Sequence, residues 1–321
     1  MTTRIQRVLL TGATGFVGPH LVLALQRAFG EGLQIISASP GSEQQAGTSP
    51  ARLDLQTPGA AAALVEAVRP DACLHLAGVS HVSHVLRNPE AAWSINLRGT
   101  LELADALQAC APQAPLIHIS TAEVYGLTAN GVDRLTEDSR LAPANLYGVT
   151  KAAADLALGE RALNGLRVVR LRPFNHTGPG QSADFVIPHI ARQIAMAEAR
   201  GGGEVVIGAL DRARDFLDVR DVCAAYVAAL QRFDTLPPGA ILNLASGISR
   251  TIGDVLQDML RLARVPIMVR QEEARLRPHD VNCVCADAQR ACAALEWTPT
   301  IAWADTLLSV LDDWRGREIV A

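Results

Sequence analysis

The sequence is poor in aromatic residues, in paired cysteines, in clustered positive charge and in long apolar runs. Aromatic residues make up 4% and charged residues 19% of the 321 residues, and the net charge is −4. No cluster of basic residues stands out, so nothing indicates binding to nucleic acid or to a membrane surface. The apolar runs are too short to span a bilayer, and the first residues lack the layout of a signal peptide. We therefore expect a cytoplasmic protein.

The cysteines do not form a metal-binding pattern. Cys283 and Cys285 are close in sequence, but a zinc site of this kind needs a second pair at matching spacing. We expect reduced thiols and no metal site. The six cysteines are Cys73, Cys110, Cys223, Cys283, Cys285 and Cys292.

The order of apolar segments predicts an α/β protein. Strand-like and helix-like stretches alternate from residue 5 to about residue 172, which is typical of a doubly wound parallel sheet of the Rossmann type. A loop rich in proline and glycine begins at Pro173, and the later elements read as a smaller C-terminal α/β lobe. We predict a dinucleotide-binding domain at residues 1–172 and a substrate lobe at 173–321, interleaved with late strands of the sheet.

A glycine-rich turn lies between the first strand and the first helix. Gly12 permits a tight turn, Gly15 allows the backbone to approach a pyrophosphate, and Gly18 allows the helix to pack closely on the strand. The free N–H groups at the start of the helix would hold the phosphates. The residues predicted to bind the dinucleotide here are Gly12, Thr14, Gly15, Phe16, Val17 and Gly18.

The end of the second strand bears on the choice between NAD(H) and NADP(H). An acidic residue there normally binds the adenosine ribose of NAD, but this strand ends without one. Ser37 and Ser39 could hydrogen-bond either cofactor, and the missing acid slightly favours NADP(H). Asp54, followed by Leu55, could contact the adenine, or Asp54 could simply cap a turn.

Tyr147 and Lys151 stand four residues apart in a predicted helix, so they share one face. A nearby ammonium favours the phenolate, and we expect it to lower the pKa of Tyr147 towards neutral pH. A tyrosine tuned in this way can exchange a proton with a sugar oxygen.

Six motifs fall in order along the chain and identify a family. They begin at Thr11, His75, Asn96, Ser120, Tyr147 and Arg170. Together they resemble the extended short-chain dehydrogenases/reductases, which act on nucleotide sugars, and the resemblance runs from about residue 5 to 314. It implies that Leu76 and Ala77 lie over the cofactor and that Asn96 braces the site.

The same resemblance assigns the catalytic residues. Tyr147 is the acid/base, Lys151 lowers its pKa and holds the nicotinamide ribose, and Thr121 hydrogen-bonds the reacting sugar oxygen. Glu123 lies where the dehydratases of the family keep a base. Ala122 cannot donate a proton, which argues against the elimination step of a dehydratase.

Residues of the second half resemble the part of the family that holds the nucleotide sugar. Arg214 and Arg277 would bind the two phosphates, since guanidinium groups match phosphate oxygens, and Asp280 would bind the nucleoside ribose. Surface salt bridges are the alternative for these charges. Asn175, Ser80 and His81 resemble residues that face the substrate.

The motifs around Phe174 and Leu276 most resemble the GDP-sugar branch. This implies reduction of the 4-keto group of GDP-4-keto-6-deoxy-D-mannose to give GDP-D-rhamnose, with NADP(H) or NAD(H) as cofactor. A GDP-mannose 4,6-dehydratase, a nucleotide-sugar 4-epimerase and a non-catalytic dinucleotide sensor are the alternatives. The family often dimerises through two helices, here Asn96–Ala109 and Tyr147–Leu163, so a homodimer is expected.

Overall fold

The computed structural model describes residues 5–30, 32–80, 82–272 and 281–318. Within these ranges the chain forms strands that assemble into three sheets. The strands are β1 (Arg7–Thr11), β2 (Gln34–Ser39), β3 (Ser49–Arg52), β4 (Ala72–His75), β5 (Leu116–Ile119), β6 (Val168–Pro173), β7 (Asn175–Thr177), β8 (Gly203–Ile207), β9 (Ala213–Asp218), β10 (Ile241–Leu244), β11 (Ser249–Thr251), β12 (Ile267–Gln271) and β13 (Cys283–Val284).

The helices alternate with the strands. They are α1 (Val17–Phe29), α2 (Ala60–Val68), α3 (Val82–Arg87), α4 (Pro89–Ala92), α5 (Thr100–Cys110), α6 (Leu146–Leu163), α7 (Val186–Arg200), α8 (Val219–Gln231), α9 (Ile252–Arg261), α10 (Gln289–Leu295) and α11 (Trp303–Glu318). A π-helical segment, Trp93–Gly99, joins α4 to α5, and a 3₁₀ turn spans Ala122–Val124.

The central sheet has seven strands in the order β10-β6-β5-β4-β1-β2-β3. All neighbouring strands in it are parallel. The predicted doubly wound parallel sheet is therefore confirmed. Because the strand order reverses at β1, a crevice opens at the carboxyl ends of β1 and β4, the usual place for a ligand in such sheets.

Both faces of the central sheet are covered, which explains the continuous apolar sequence of its strands. In β1, Val8 and Leu10 point into the core shared with α1 and α8, whereas Leu9 points into the core shared with α2, α5 and α6. Alternate residues of a strand face opposite sides, so one short strand supplies both cores.

The C-terminal half contains the predicted smaller α/β lobe. Strand β9 pairs with β7 and β13 in parallel and with β11 antiparallel, and we call these four strands the small sheet. Strands β8 and β12 form a separate parallel pair. Helices α7, α9 and α11 pack around a third core that includes Phe216 of β9.

The two halves of the chain are interleaved. Strand β10 follows the start of the small sheet in sequence but pairs with β6 of the central sheet, and α8 packs against α1. Strand β6 itself runs to Pro173. The division into two domains after residue 172 stays a prediction.

Candidate active site

The glycine-rich turn is compact because two of its glycines leave no room for a side chain. Gly12 has a φ of 76°, and a Cβ atom there would lie 2.7 Å from the backbone nitrogen of Ala77. A Cβ atom on Gly18 would lie 1.8 Å from the carbonyl oxygen of Ala13. The close approach predicted for Gly18 is thus to the turn itself rather than to the strand. Thr14 and Gly15 are exposed at the tip, where a phosphate could approach.

A buried hydrogen-bond relay fixes the ends of β1 and β4. Thr100 donates its hydroxyl to the carbonyl oxygen of Asn96 at 2.9 Å, so it accepts from Nε2 of His75, also at 2.9 Å. The other ring nitrogen of His75 then accepts from the Thr11 hydroxyl at 2.7 Å, and Thr11 accepts from the backbone N–H of Ala77 at 3.2 Å. Burial lowers the pKa of His75 to about 3, so the ring is neutral in this relay.

Asn96 connects the loop after β4 to the helix that carries Tyr147. Its carboxamide exchanges hydrogen bonds with both backbone groups of Val79, at 2.8 and 3.1 Å, and donates to the hydroxyl of Thr150 at 3.1 Å. Thr150 in turn donates to the carbonyl oxygen of Tyr147. The predicted bracing role of Asn96 is confirmed as a structural fact.

Tyr147 and Thr121, two of the predicted catalytic residues, lie close together. The half-buried phenol of Tyr147, in the first turn of α6, is hydrogen-bonded to the hydroxyl of Thr121, which follows β5. Parallel strands end at the same edge of the sheet, so β5 delivers Thr121 to the crevice.

The expectation that Lys151 lowers the pKa of this phenol is wrong. Burial raises the pKa of Tyr147 to about 12; the hydrogen bond with Thr121 lowers it in part, and the negative charge of Glu123 raises it further. Loss of hydration disfavours the phenolate more than nearby polar groups favour it. Tyr147 is therefore protonated at neutral pH, and its phenol is a weaker acid than that of an exposed tyrosine.

Lys151, one helical turn after Tyr147, is buried against the sheet. Its ammonium group donates to the carbonyl oxygen of Ile119 at 2.5 Å. Burial lowers the pKa of Lys151 to about 8, and the charge of Asp155 opposes this shift. At neutral pH the ammonium group is mostly charged, but its pKa lies only slightly above neutral pH.

Glu123 has a structural partner at the start of α6. Its exposed carboxylate accepts from the side-chain amide of Asn145 at 2.8 Å, and Asn145 caps the helix by accepting from the N–H of Gly148 at 2.8 Å. A Cβ atom on Gly148 would lie 2.7 Å from the carbonyl oxygen of Glu123. Glu123 therefore fixes the start of the helix, and a role as a base stays a prediction.

The residues predicted to contact the adenosine half lie after β2 and β3. Ser37 is fully buried within β2, whereas Ser39 ends the strand. Asp54 accepts from the N–H of Gln56 at 2.9 Å and from the hydroxyl of Thr57 at 3.3 Å. Asp54 thus caps a turn, which was the alternative expected for it. Its contact with adenine, and that of the half-buried Leu55, stays a prediction.

The predicted substrate residues lie partly in the described structure. Asn175 is exposed in β7 and Arg214 is half-buried in β9, and these two strands are neighbours in the small sheet. Ser80 is exposed after β4. The remaining three, His81, Arg277 and Asp280, lie outside the described residues.

Sequence reasoning missed a connection between the glycine-rich turn and the loop that begins at β7. The ring of Phe16 stacks on His176, with centroids 6.0 Å apart, and meets His20 edge to face at 5.8 Å. Nε2 of His20 lies 2.8 Å from the carbonyl oxygen of Pro179. In the sequence, the only indication of this connection was the aromatic residue Phe16 within the turn.

A buried ion pair behind α6 was also missed. Arg172 forms a bidentate pair with Asp155, at 2.8 and 3.0 Å, and donates to the hydroxyl of Tyr125 at 2.9 Å. Arg170 donates to the same carboxylate at 3.2 Å. Asp155 lies one helical turn after Lys151, so this network fixes the helix that carries Tyr147 and Lys151.

Neither a metal-binding cluster nor a membrane-spanning helix occurs among the described residues. In these ranges no group of three or more His, Cys, Asp or Glu side chains is arranged to hold a metal ion. Likewise, none of the helices in the described ranges has the length and apolar character needed to cross a membrane. All six cysteines lie in the described structure and are free thiols.

Comparison with known proteins gives consistent matches. The NAD dependent epimerase/dehydratase family matches residues 8–245. GDP-6-deoxy-D-mannose reductase from Pseudomonas aeruginosa is 35% identical over 314 residues, covering 97% of this chain and 98% of the relative.

Two solved structures share the fold across nearly the whole chain. The RMD structure from Pseudomonas aeruginosa complexed with NADPH has a TM-score of 0.81 at 32% identity, covering 97% of this chain and 99% of that one. A UDP-glucose-4-epimerase from Stenotrophomonas maltophila, with bound NAD and formylated UDP-arabinopyranose, has a TM-score of 0.85 at 25% identity, covering 98% and 100%.

Proposed function

Because this chain belongs to the NAD dependent epimerase/dehydratase family, we propose that it reduces the 4-keto group of GDP-4-keto-6-deoxy-D-mannose to give GDP-D-rhamnose. It is an NAD(P)-dependent nucleotide-sugar oxidoreductase by its family and relatives. The similarity to a GDP-6-deoxy-D-mannose reductase supports a GDP-sugar as the substrate and reduction as the direction of the reaction.

The position of the Tyr147 phenol beside Thr121, where β5 ends, is the observation that carries the proposal. Reduction of a ketone to an alcohol needs a proton on the sugar oxygen, and a phenol whose pKa is raised to about 12 holds that proton at neutral pH. Thr121, hydrogen-bonded to the phenol, would orient the same oxygen. Lys151 is proposed to hold the nicotinamide ribose, the role that the family resemblance implies.

The residues around the crevice fit a dinucleotide. The turn leaves no room for a side chain at Gly12 or at Gly18, so the backbone there is tightly packed. The exposed tip of the turn precedes the N-terminus of α1, where N–H groups can bind phosphate. These residues would hold the pyrophosphate, and Leu76 and Ala77 would lie beside the nicotinamide half. When bound, reduced NAD(P)H supplies the hydride.

Asn175 and Arg214 are proposed to bind the diphosphate or the sugar of the substrate. Both lie in the small sheet: Asn175 begins β7, just after β6 ends, and Arg214 lies in β9, the strand that pairs with β7. A guanidinium group suits phosphate oxygens. Ser80, Arg277 and Asp280 keep the substrate-binding roles proposed from the family resemblance, and Glu123 could hydrogen-bond the sugar.

The test is a direct assay. Purified protein is mixed with GDP-4-keto-6-deoxy-D-mannose and NADH or NADPH, the loss of nicotinamide absorbance is followed, and the product is identified by NMR. Oxidation of the cofactor with formation of GDP-D-rhamnose is expected. Water loss from GDP-mannose would instead identify a dehydratase, and tightly bound NAD with interconversion of C4 epimers would identify an epimerase.

We further propose a cytoplasmic homodimer. The outer face of α6 exposes Leu156 and Leu163 at 59% and 86%, and a second copy of the chain would cover them. Six free thiols suit a reducing compartment. Light scattering after size exclusion should give the dimer mass, and Leu156→Glu should give monomers; a monomeric unmodified protein would contradict the proposal.

A further inference from the structure

The carboxylate that the sequence lacks at the end of β2 is supplied from the following turn. Ser39, the last residue of β2, lies about 20 residues after Gly18, where dinucleotide-binding proteins place the acid that binds the adenosine ribose. In the structure the hydroxyl of Ser39 donates to the carboxylate of Glu43. The carboxylate of Glu43 therefore lies beside the end of β2, where the sequence itself has a serine instead of an acidic residue.

A tight turn brings Glu43 back to the strand. Ser42 has a φ of 55° and donates its N–H to the carbonyl oxygen of Ser39 at 3.3 Å. The N–H of Glu43 then donates to the Ser39 hydroxyl at 3.0 Å. A Cβ atom on Gly41 would lie 2.3 Å from a carboxylate oxygen of Glu43, so the carboxylate folds over a position without a side chain.

This carboxylate lies beside the glycine-rich turn. In the pairing of β1 with β2, Thr11 is opposite Ala38, so Ser39 is level with Gly12. The pyrophosphate-binding turn and the Ser39–Glu43 pair thus lie at one edge of the sheet. The hydrogen bond from Ser39 also lowers the pKa of Glu43, so its carboxylate is ionised at neutral pH.

We propose that Glu43 determines the choice of cofactor: its carboxylate accepts hydrogen bonds from the adenosine ribose hydroxyls of NAD(H) and repels the 2′-phosphate of NADP(H). This inference rests on the family's NAD(P) dependence and is independent of the sugar proposed above. It reverses the slight preference for NADP(H) drawn from the sequence, and it makes this chain differ from the relative solved with NADPH.

One cation lies close enough to oppose this effect. Arg52 is opposite Ser39 in the pairing of β2 with β3, and its guanidinium could attract a 2′-phosphate. Both side chains are exposed, but two hydrogen bonds join Glu43 to Ser39. A carboxylate held in place acts more strongly on a ligand than a flexible exposed cation.

The experiment measures binding of NADH and NADPH to the full chain by fluorescence titration, with no sugar present. We expect NADH to bind at least about tenfold more tightly, a difference of about 1.4 kcal/mol. Glu43→Gln keeps the shape but removes the charge, and it should reduce the preference at least about tenfold. Added salt should narrow the preference of the unmodified protein, because it screens the repulsion.

Two controls complete the design. Glu66→Gln removes the same charge from an exposed position on α2 and should leave the ratio of the two dissociation constants unchanged. Arg52→Gln should weaken the binding of NADPH and leave the binding of NADH unchanged. Tighter binding of NADPH by the unmodified protein, or an unchanged ratio in Glu43→Gln, would overturn the proposal. Because no sugar is present, neither result depends on the proposed reductase activity.

Discussion

The ammonium group of Lys151 lies 2.5 Å from the carbonyl oxygen of Ile119, the last residue of β5. This hydrogen bond joins α6 to the end of a central strand. It also places a cation in a buried site, and burial lowers the pKa of Lys151 to about 8. The charge of this residue therefore changes just above neutral pH, and two measurements can detect that.

The first measurement is the pH dependence of reduction. If the cation is needed, kcat/KM should be level from about pH 6 to about pH 7.5 and fall as pH rises through about 8, where Lys151 becomes neutral. Tyr147, with its pKa raised to about 12, stays protonated over this range. A profile that rises through pH 8, or a fall that persists unchanged in Lys151→Met, would contradict this assignment.

The second measurement uses the fact that Lys151 is the only lysine in the chain. Isotope-labelled lysine should give a single side-chain NMR signal that titrates with a midpoint of about 8 instead of the ordinary 10.5. Between these values the unfolded chain binds more protons, so stability should rise with pH over the same window. A midpoint above about 10 would show that the group is exposed to solvent.

Replacement of two tyrosines should separate catalysis from stability. Tyr147→Phe should lower kcat/KM about 10²- to 10⁴-fold while cofactor binding is kept, because only the proton donor is lost. Tyr125→Phe should keep the turnover but destabilise the protein by about 1–2 kcal/mol, since its hydroxyl bonds to Arg172 and Asn243. Equal turnover in the two variants would contradict the role of Tyr147.

The buried ion pair behind α6 should be costly to break. Asp155→Asn leaves Arg172 buried without its counter-charge and should lower the free energy of unfolding by about 3–5 kcal/mol. Urea denaturation measures this loss. The matched control is Asp105→Asn, which breaks a more exposed pair with Arg161 and should cost less than about 1 kcal/mol. Similar losses in the two variants would show that burial does not matter here.

The turn geometry makes Gly18 irreplaceable. Gly18→Ala places a Cβ atom 1.8 Å from a carbonyl oxygen, so the turn must shift, and we expect at least about a tenfold loss of cofactor affinity with about 1–3 kcal/mol of destabilisation. Gly131→Ala, where the added atom has nothing within 4 Å, should change neither quantity. Normal cofactor affinity in Gly18→Ala would contradict the assigned binding turn.

Much of the fold was predictable because it depends on local sequence. The turn from Gly12 to Gly18 has a spacing that only a strand–turn–helix unit explains, and the helix of Tyr147 begins where Asn145 can cap it. The position of β10 was harder to predict, because the pairing of its residues with β6 depends on contacts far apart in the chain.

The site was predicted as a set of residues but not in its electrostatics. The spacing of Tyr147 and Lys151 predicts their common face, yet the pKa of the phenol is decided by burial, which no local pattern reports. Glu43 was missed for a similar reason. It is four residues past the expected position, and only the turn at Ser42 brings it back.

The place of β10 has a consequence for how the polypeptide matures on the ribosome. The residues up to Pro173 contain six strands of the central sheet but neither β10, which borders β6, nor α8, which covers one face. Nascent chains generally fold from the N-terminus as units become available. Here that unit stays unfinished until synthesis has passed Leu244, and until then the unpaired edge of β6 is open to pairing with another chain.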